Sequence, residues 1–437
     1  METQSSNQTN SAIVSRKFSL ISSFFQAFMS SADSLANTFV FYYAIGRGSV
    51  GFIHGLIVSV RELGSAIIQP IWGRLSDIKG RKLFVIMGML IQSFSWGILM
   101  PLASKPIHIL LILVFQTTMG TMAIPSWSSW IGDFTLKSKR GGVFGKLAMI
   151  GSYTGMIVLL VVTLTMDGID PDRKFVDTYS IAFRMGGLFY LFSAIVAFLI
   201  PSSTNGMNIA IKESIITPSA SRVHLVIYRK LQYQVKLTVQ GLKVEYKRIV
   251  LADGLFRVAW STAWPIFPFA TLFVTQDLLD LTLLSLASIL PMGLSQYFGG
   301  KLSDRIGRRR VIIWSRLFLV LPPFLFALGV IYQNILFLYI SNFIVGATLG
   351  ASVVSLTSFI LDVAPDDKNG TYLSLHMMAM GILAFTGSII MGLVLNYISP
   401  TKEPSSALIS LLLMVVACIR FIAWFSYFLL PKDESIK

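Results

Sequence analysis

Gly73-Arg74-Leu75-Ser76-Asp77-Ile78-Lys79-Gly80-Arg81-Lys82 returns about half a chain length later as Gly300-Lys301-Leu302-Ser303-Asp304-Arg305-Ile306-Gly307-Arg308-Arg309. Each copy lies between two long apolar runs. A loop of two glycines, an acid and several bases, written twice between such runs, points to a duplicated membrane bundle rather than a soluble enzyme. The duplication reaches further. Asp133 with Arg140-Gly141 matches Asp362 with Asn369-Gly370, and Gln116 with Gly120 matches Asn342 with Gly346, at nearly the same offset. Chance is a poor account of three markers in register.

Composition agrees. Of 437 residues, 54% are hydrophobic and only 13% charged, with a mean hydropathy of +0.70. Soluble domains carry about 25% charged residues, so most of this chain must face something other than water. The net charge of +15 would suit nucleic acid, but the lysines and arginines cluster in short breaks between apolar runs, as cytoplasmic loops of membrane proteins do. No nucleic-acid partner is expected. The one cysteine, Cys418, has no partner in the chain, which excludes an internal disulfide and a cysteine metal site. The first apolar run is too long for the roughly 7–15-residue core of a cleavable signal, so it reads as a retained span.

Twelve runs are long enough to cross the roughly 30 Å hydrocarbon core, which takes about 20 helical residues. They lie near 18–45, 49–72, 83–103, 106–132, 143–166, 180–201, 250–275, 281–300, 311–332, 334–361, 371–398 and 404–430. Backbone groups in lipid are satisfied only in helices or closed barrels, and these runs lack the alternation of barrel strands. The expected fold is therefore all-α. A polar tail at 1–17 precedes a six-helix half at 18–201. A loop at 202–249 leads to a second half at 250–430 and a short tail at 431–437. Arg16, Lys17, both repeated loops and the many bases of 202–249 fall on one side, while Asp167, Asp170, Asp172 and Asp177 fall on the other. This places both termini in the cytoplasm and the protein in the plasma membrane. Scattered Leu, Val and Tyr among the bases of 222–248 suggest a surface helix.

The repeated loop resembles the signature between the second and third helices of major facilitator superfamily transporters, and the resemblance covers essentially the whole chain. It implies two six-helix halves that rock about a central site and carry a solute by alternating access. It also implies that the loop latches the cytoplasmic ends of the halves. By position the latch would comprise Gly73, Asp77, Gly80, Arg81 and Arg140, with Gly300, Asp304, Gly307 and Arg308 as counterparts. Gly80 and Gly307 suit a tight turn with positive φ, and Gly73 and Gly300 suit close helix approach. Ile78 departs from the family, which usually has a base there.

Candidate site residues sit within the spans. Gln26, Ser30, Asp33 and Asn37 follow spacings of 4, 3 and 4, on one face of the first helix. Asp33 lies near mid-helix, where a charged side chain costs roughly 2.5–3.5 kcal/mol unless paired, hydrated or protonated, so it is the first candidate for proton coupling. The alternative is a permanently paired acid. In the second helix His54, Arg61, Ser65 and Gln69 share a face, and Glu62, the second coupling candidate, points about 100° away from Arg61. Each then needs a partner on another helix, and Arg61 with Asp33 is the expected pair. In the seventh helix Asp253 and Arg257 stand at i, i+4 and read as a local ion pair, with Arg257, Trp260 and Trp264 available to a cavity. Gln116 and Asn342 hold symmetric places in the fourth and tenth helices, which in the family border the cavity. Many proton-coupled members have an arginine where Gln116 stands, which throws weight onto Asp33 and Glu62. His376 reads as structural, and Arg420 as snorkelling toward the cytoplasmic surface.

These features point to a secondary transporter, with proton-coupled symport of a small polar or anionic metabolite slightly ahead of multidrug efflux. The fifth helix lacks the Gly-Pro pair of the family's drug antiporters. A sensor or partner-binding protein that kept the fold without transport is the rival of another class. There is no nucleotide-binding Gly-rich loop, catalytic triad or metal-ligand cluster, so neither enzymatic activity nor a cofactor is expected. The expected partners are a small solute, protons and the bilayer, around a monomer.

Overall fold

The computed structural model describes residues 2–134, 140–167, 175–200, 242–365, 369–399 and 404–432, all helix and short turns with no strand among them. Six helices make the first half: Glu2–Gly46, Gly51–Lys79, Arg81–Leu102, Pro106–Ile131, Arg140–Asp167 and Phe175–Leu199. The second half has a seventh helix in two pieces, Val244–Ser261 and Phe267–Val274. The eighth to twelfth follow as Leu278–Ile306, Arg308–Tyr332, Leu336–Val363, Asn369–Ile398 and Ser406–Leu429. Ten of these are long and apolar enough to cross a bilayer. The first is less apolar because of its polar stripe, and the seventh is divided into a charged piece and an apolar one of only 8 residues.

Two boundaries differ from the sequence reading. Helix continues back through residues read as a polar tail, to Glu2. The seventh helix begins at Val244, inside the expected central loop, and Tyr246 and Ile249 are its first buried residues. Most of the expected surface helix at 222–248 lies outside the described residues.

Packing repeats between the halves. The second helix packs on the fourth as the eighth does on the tenth, the first on the fifth as the seventh on the eleventh, and the third on the sixth as the ninth on the twelfth. Contacts between the halves obey the same symmetry, second against eleventh and fifth against eighth. Both seams are closed at the end remote from the repeated loops. There a Cβ on Gly55 would come within 2.9 Å of the Gly392 Cα, and the hydroxyls of Thr163 and Thr282 meet at 2.7 Å. Small residues let helix backbones approach this closely in a membrane.

Rings such as Phe25, Phe39, Tyr43, Trp96, Trp130 and Phe183 are buried at the core of the first half. The outer surface is itself apolar, with Leu102, Leu111, Phe198 and Ile422 exposed, as a lipid-facing sheath requires. The two repeated loops fold alike. Gly80 has φ 95° and Gly307 φ 97°, which only glycine adopts freely. Ser76 Oγ donates to the Gly73 carbonyl and Ser303 Oγ to that of Gly300, both at 2.8 Å. Gly73 and Gly300 do not mark a tight crossing. A methyl there would rest 3.6 Å from Pro125 and 3.5 Å from Val354, ordinary van der Waals contact.

Candidate functional site

A cavity of about 590 Å³ lies between the halves, lined by the first, second and seventh to tenth helices. Six rings dominate its wall: Phe41, Tyr42, Trp260, Trp264, Phe267 and Phe326. Thr38, Ser65, Thr271, Ser285, Ser341 and Asn342 add polar contacts, and Arg61 and Glu62 add charge. A second chamber of about 500 Å³ lies toward the repeated loops, bounded by Gly73, Pro125, Ile360 and the eleventh helix. Glu62 and Ser65 line both spaces.

Arg61 and Glu62, adjacent in sequence, do part to different neighbours. Arg61 donates to the Asn37 side-chain oxygen. Glu62 accepts from Arg257 Nη2 at 3.0 Å, across the interface between the halves. The Arg257 guanidinium also lies 5.3 Å from the centroid of the Trp264 ring, where the π face favours a cation. The expected Arg61–Asp33 pair does not form. Asp33 accepts from the Tyr190 hydroxyl at 2.5 Å, so a neutral donor on the sixth helix takes the place of the cation.

The first-helix stripe faces its own half instead of the cavity. Gln26 accepts from Trp127 at 3.0 Å and donates to Ser30 Oγ at 3.0 Å, and Ser30 lies against Gly151 of the fifth helix. The cavity face of this helix is instead Thr38, Phe41 and Tyr42. The symmetric amides also diverge. Asn342 lines the cavity and donates to the Leu338 carbonyl at 2.9 Å. Gln116 is buried against the third helix and donates to Gln92 at 2.8 Å, because Gln92 fills the space beside Gly120. On the second helix Ser65 lines both spaces and Gln69 the second, while His54 is fully buried beside Ser49 and Phe269.

Asp253 is not the local partner of Arg257. Its carboxylate accepts from Arg316 at 3.1 Å, from the Tyr427 hydroxyl at 2.6 Å and from His376 Nε2 at 3.2 Å. Asp253 and Arg316 are only 4% and 7% exposed, so this cluster ties the seventh, ninth, eleventh and twelfth helices in the wall of the second chamber. Desolvated charges persist when they are paired and hydrogen-bonded. Arg420 does not snorkel. It is 0% exposed and donates to the carbonyls of Trp260 and Leu319.

At the repeated loops, Arg308 pairs with Asp362 and lies 3.9 Å from Asp304, all within the second half. Arg81 donates to the Ser129 carbonyl. The side chains of Asp77, Asp133 and Arg140 lie outside the described set.

Two halves that repeat one packing plan, with a solute-sized cavity between them, are the plan of a transporter that exposes one site to either side in turn. The sequence model described as Major Facilitator Superfamily matches residues 18–248 and again 249–437. The chain belongs to the Major Facilitator Superfamily. It is similar to superfamily members named as a multi-drug resistance efflux pump PmrA homolog from Lactococcus lactis (23% identical over 387 residues, 85% of this chain and 86% of the relative) and multidrug resistance protein MdtG from Yersinia enterocolitica (26% over 329 residues, 72% and 70%). Its fold is similar to that of the xylose transporter XylE from E. coli in a partially occluded inward-open conformation (13% identity, TM-score 0.66, 96% of this chain and 98% of that one). The nucleoside transporter NupG is similar too (12%, TM-score 0.62, 95% and 98%). As a superfamily member the protein is a multi-pass membrane transporter of small solutes.

Sequence reasoning missed Tyr190, Arg316, Tyr427 and most of the aromatic wall. The rings had a signal in Phe39-Val40-Phe41-Tyr42-Tyr43 and in Trp264-Pro265-Ile266-Phe267-Pro268, where prolines interrupt a span beside aromatic residues.

Proposed function

We propose that the protein is a proton-driven exporter of amphipathic aromatic solutes. The observation that carries this reading is the cavity between the halves, with six rings in its wall and one carboxylate, Glu62, at its edge. Rings accept many aromatic solutes through stacking without demanding one hydrogen-bond pattern, and the multidrug names of two relatives agree with broad selectivity. A proton on Glu62 removes the charge that holds Arg257, so protonation would unfasten the contact between the halves. Asp33 is the second proton carrier, since its bonded partner is a hydroxyl rather than a cation. The closed far end and the chamber beside the repeated loops correspond to an inward-facing state of a monomer in the plasma membrane with cytoplasmic termini. The repeated loops, from Gly73 to Arg81 with Arg140 and from Gly300 to Arg308, latch the opposite state.

A second reading, symport of an aromatic anion, is favoured by Arg61, a cation in the cavity wall that is bonded to an amide. One experiment decides between them. Everted vesicles containing the protein are energised with an inward-acid gradient and supplied with ethidium or fluorescein. Gradient-dependent accumulation that is abolished by a protonophore and by Glu62→Gln or Asp33→Asn supports export. Gradient-dependent release of fluorescein supports symport instead. Dye movement indifferent to the gradient and to both substitutions sinks proton coupling.

A further inference from the structure

Arg420 is fully buried and has no carboxylate among its described partners, and what it touches explains why it is there. Its Nη2 donates to the Trp260 carbonyl at 2.7 Å and its Nη1 to the Leu319 carbonyl at 3.2 Å. Both acceptors are stranded by prolines. In the ninth helix the residue four beyond Leu319 is Pro323, which has no N–H to give back. In the seventh, Pro265 leaves the Ser261 carbonyl without its donor. The Trp264 N–H shifts to Ser261 at 3.1 Å, and Trp260 loses its own partner as a result. An unsatisfied carbonyl in a bilayer must find a donor, and one guanidinium serves two of them.

The same guanidinium lies 4.3 Å from the Trp260 ring centroid and 5.7 Å from that of Phe267. Trp260, Trp264, Phe267 and Pro268 flank one break, Pro322 and Phe326 follow the other, and all six line the central cavity. Much of the aromatic wall therefore hangs from two helix breaks that a single side chain spans. We infer that Arg420 is a positioning residue that fixes the separation of these breaks and so sets which sizes of aromatic solute the cavity accepts. A side chain that acted only as a core filler would change stability but would not change the ranking of solutes. The inference rests on the cavity being the transport site.

The test uses the full-length protein in nanodiscs and a ladder of aromatic probes, from indole through acridine to rhodamine 6G. Dissociation constants are measured for wild type, Arg420→Lys, Pro323→Ala and the double variant. Lysine offers one ammonium in place of a planar fork, so Arg420→Lys should shift the smallest and largest probes unequally, by about tenfold relative to each other. Pro323→Ala gives Leu319 a backbone donor again, so combining it with Arg420→Lys should return part of the wild-type ranking. A uniform change along the ladder, or no change, overturns the proposal. If Arg420→Lys does not fold, Pro323→Ala carries the test alone, since it competes for the bond that Nη1 makes. An unchanged ranking then overturns it. A wild-type protein that binds no probe counts against the transport reading. In that event the position of the Trp260 ring is read directly, from its ¹⁹F signal in fluorotryptophan-labelled protein assigned with Trp260→Phe. A signal that Arg420→Lys or Pro323→Ala leaves in place overturns the positioning role by itself.

Discussion

Replacing Asp253 with asparagine keeps the side chain's shape and removes only its charge, which isolates what the buried cluster contributes. In the folded protein the carboxylate faces three donors, Arg316 at 3.1 Å, Tyr427 at 2.6 Å and His376 at 3.2 Å. Asparagine still accepts at one oxygen, but it turns an NH₂ toward at least one of those donors. The Arg316 charge is then left buried without a counter-charge, with a neutral amide oxygen at most and the faces of Phe256 and Tyr427 at 5.4 and 5.7 Å to attract it. Such a cation–π contact offers on the order of 2 kcal/mol when desolvated. Orphaning a buried charge costs about 3–5 kcal/mol, whereas the same pair at a surface would be worth roughly 0–1 kcal/mol. The two ranges do not overlap, so an unfolding measurement separates them. Unfolding in mixed micelles, followed by tryptophan fluorescence, should show Asp253→Asn losing about 3–5 kcal/mol. Adding Arg316→Met removes the orphan charge and fills its volume with an apolar chain, so the double variant should recover about 2–4 kcal/mol relative to the sum of the singles. A single-variant loss below about 1 kcal/mol, or strict additivity in the double, would refute the account of the cluster as a desolvated, mutually compensating unit.

Gly307→Ala puts a Cβ on a residue held at φ 97° and should cost about 1–3 kcal/mol in the same assay. Gly300→Ala, with 3.5 Å of clearance to Val354, should fall within about 0.5 kcal/mol of its helix-propensity gain; equal losses for the two would contradict the loop geometry. Tyr190→Phe removes the one described donor to Asp33 and should cost about 1–3 kcal/mol, with a displaced pH profile of dye movement. A wild-type pH profile in that variant would show that Tyr190 does not govern Asp33. Trp264→Ala should weaken binding of the largest aromatic probe by about 1–3 kcal/mol, the scale of losing one stacking partner, while expression and unfolding stay near wild type. Unchanged affinity by fluorescence titration would take Trp264 out of the binding wall.

The duplication was legible because the repeated glycines answer to a backbone need, and Gly80 and Gly307 meet it with nearly identical φ values. Glu62 and Arg61 were legible in part for a geometric reason. Neighbours on a helix point about 100° apart, so each had to bond elsewhere, as Arg257 and Asn37 show. The first-helix stripe was a true polar face, but periodicity fixes only which residues share a face. It does not fix which way the helix is turned, and this face is turned into its own half. Asp253 was misread because Arg257 is its nearest cation in sequence, whereas the bonds it makes come from residues 63, 123 and 174 positions away along the chain. Arg420 was misread for a related reason. A lone base in a span is expected to reach for the surface, yet prolines on two other helices had already created acceptors for it in the interior.

The contact of Gly55 with Gly392 bears on how often the two wings can part. Where large side chains interlock, separation strips apolar area at about 25 cal/mol for each Å² and leaves rotamers to be sorted again on return. At this crossing bare backbone meets bare backbone, so little greasy surface is uncovered and no side chain has to find its place. The joint can open and reseat many times by the same short path, and any substituent heavier than hydrogen would act as a wedge that biases it open.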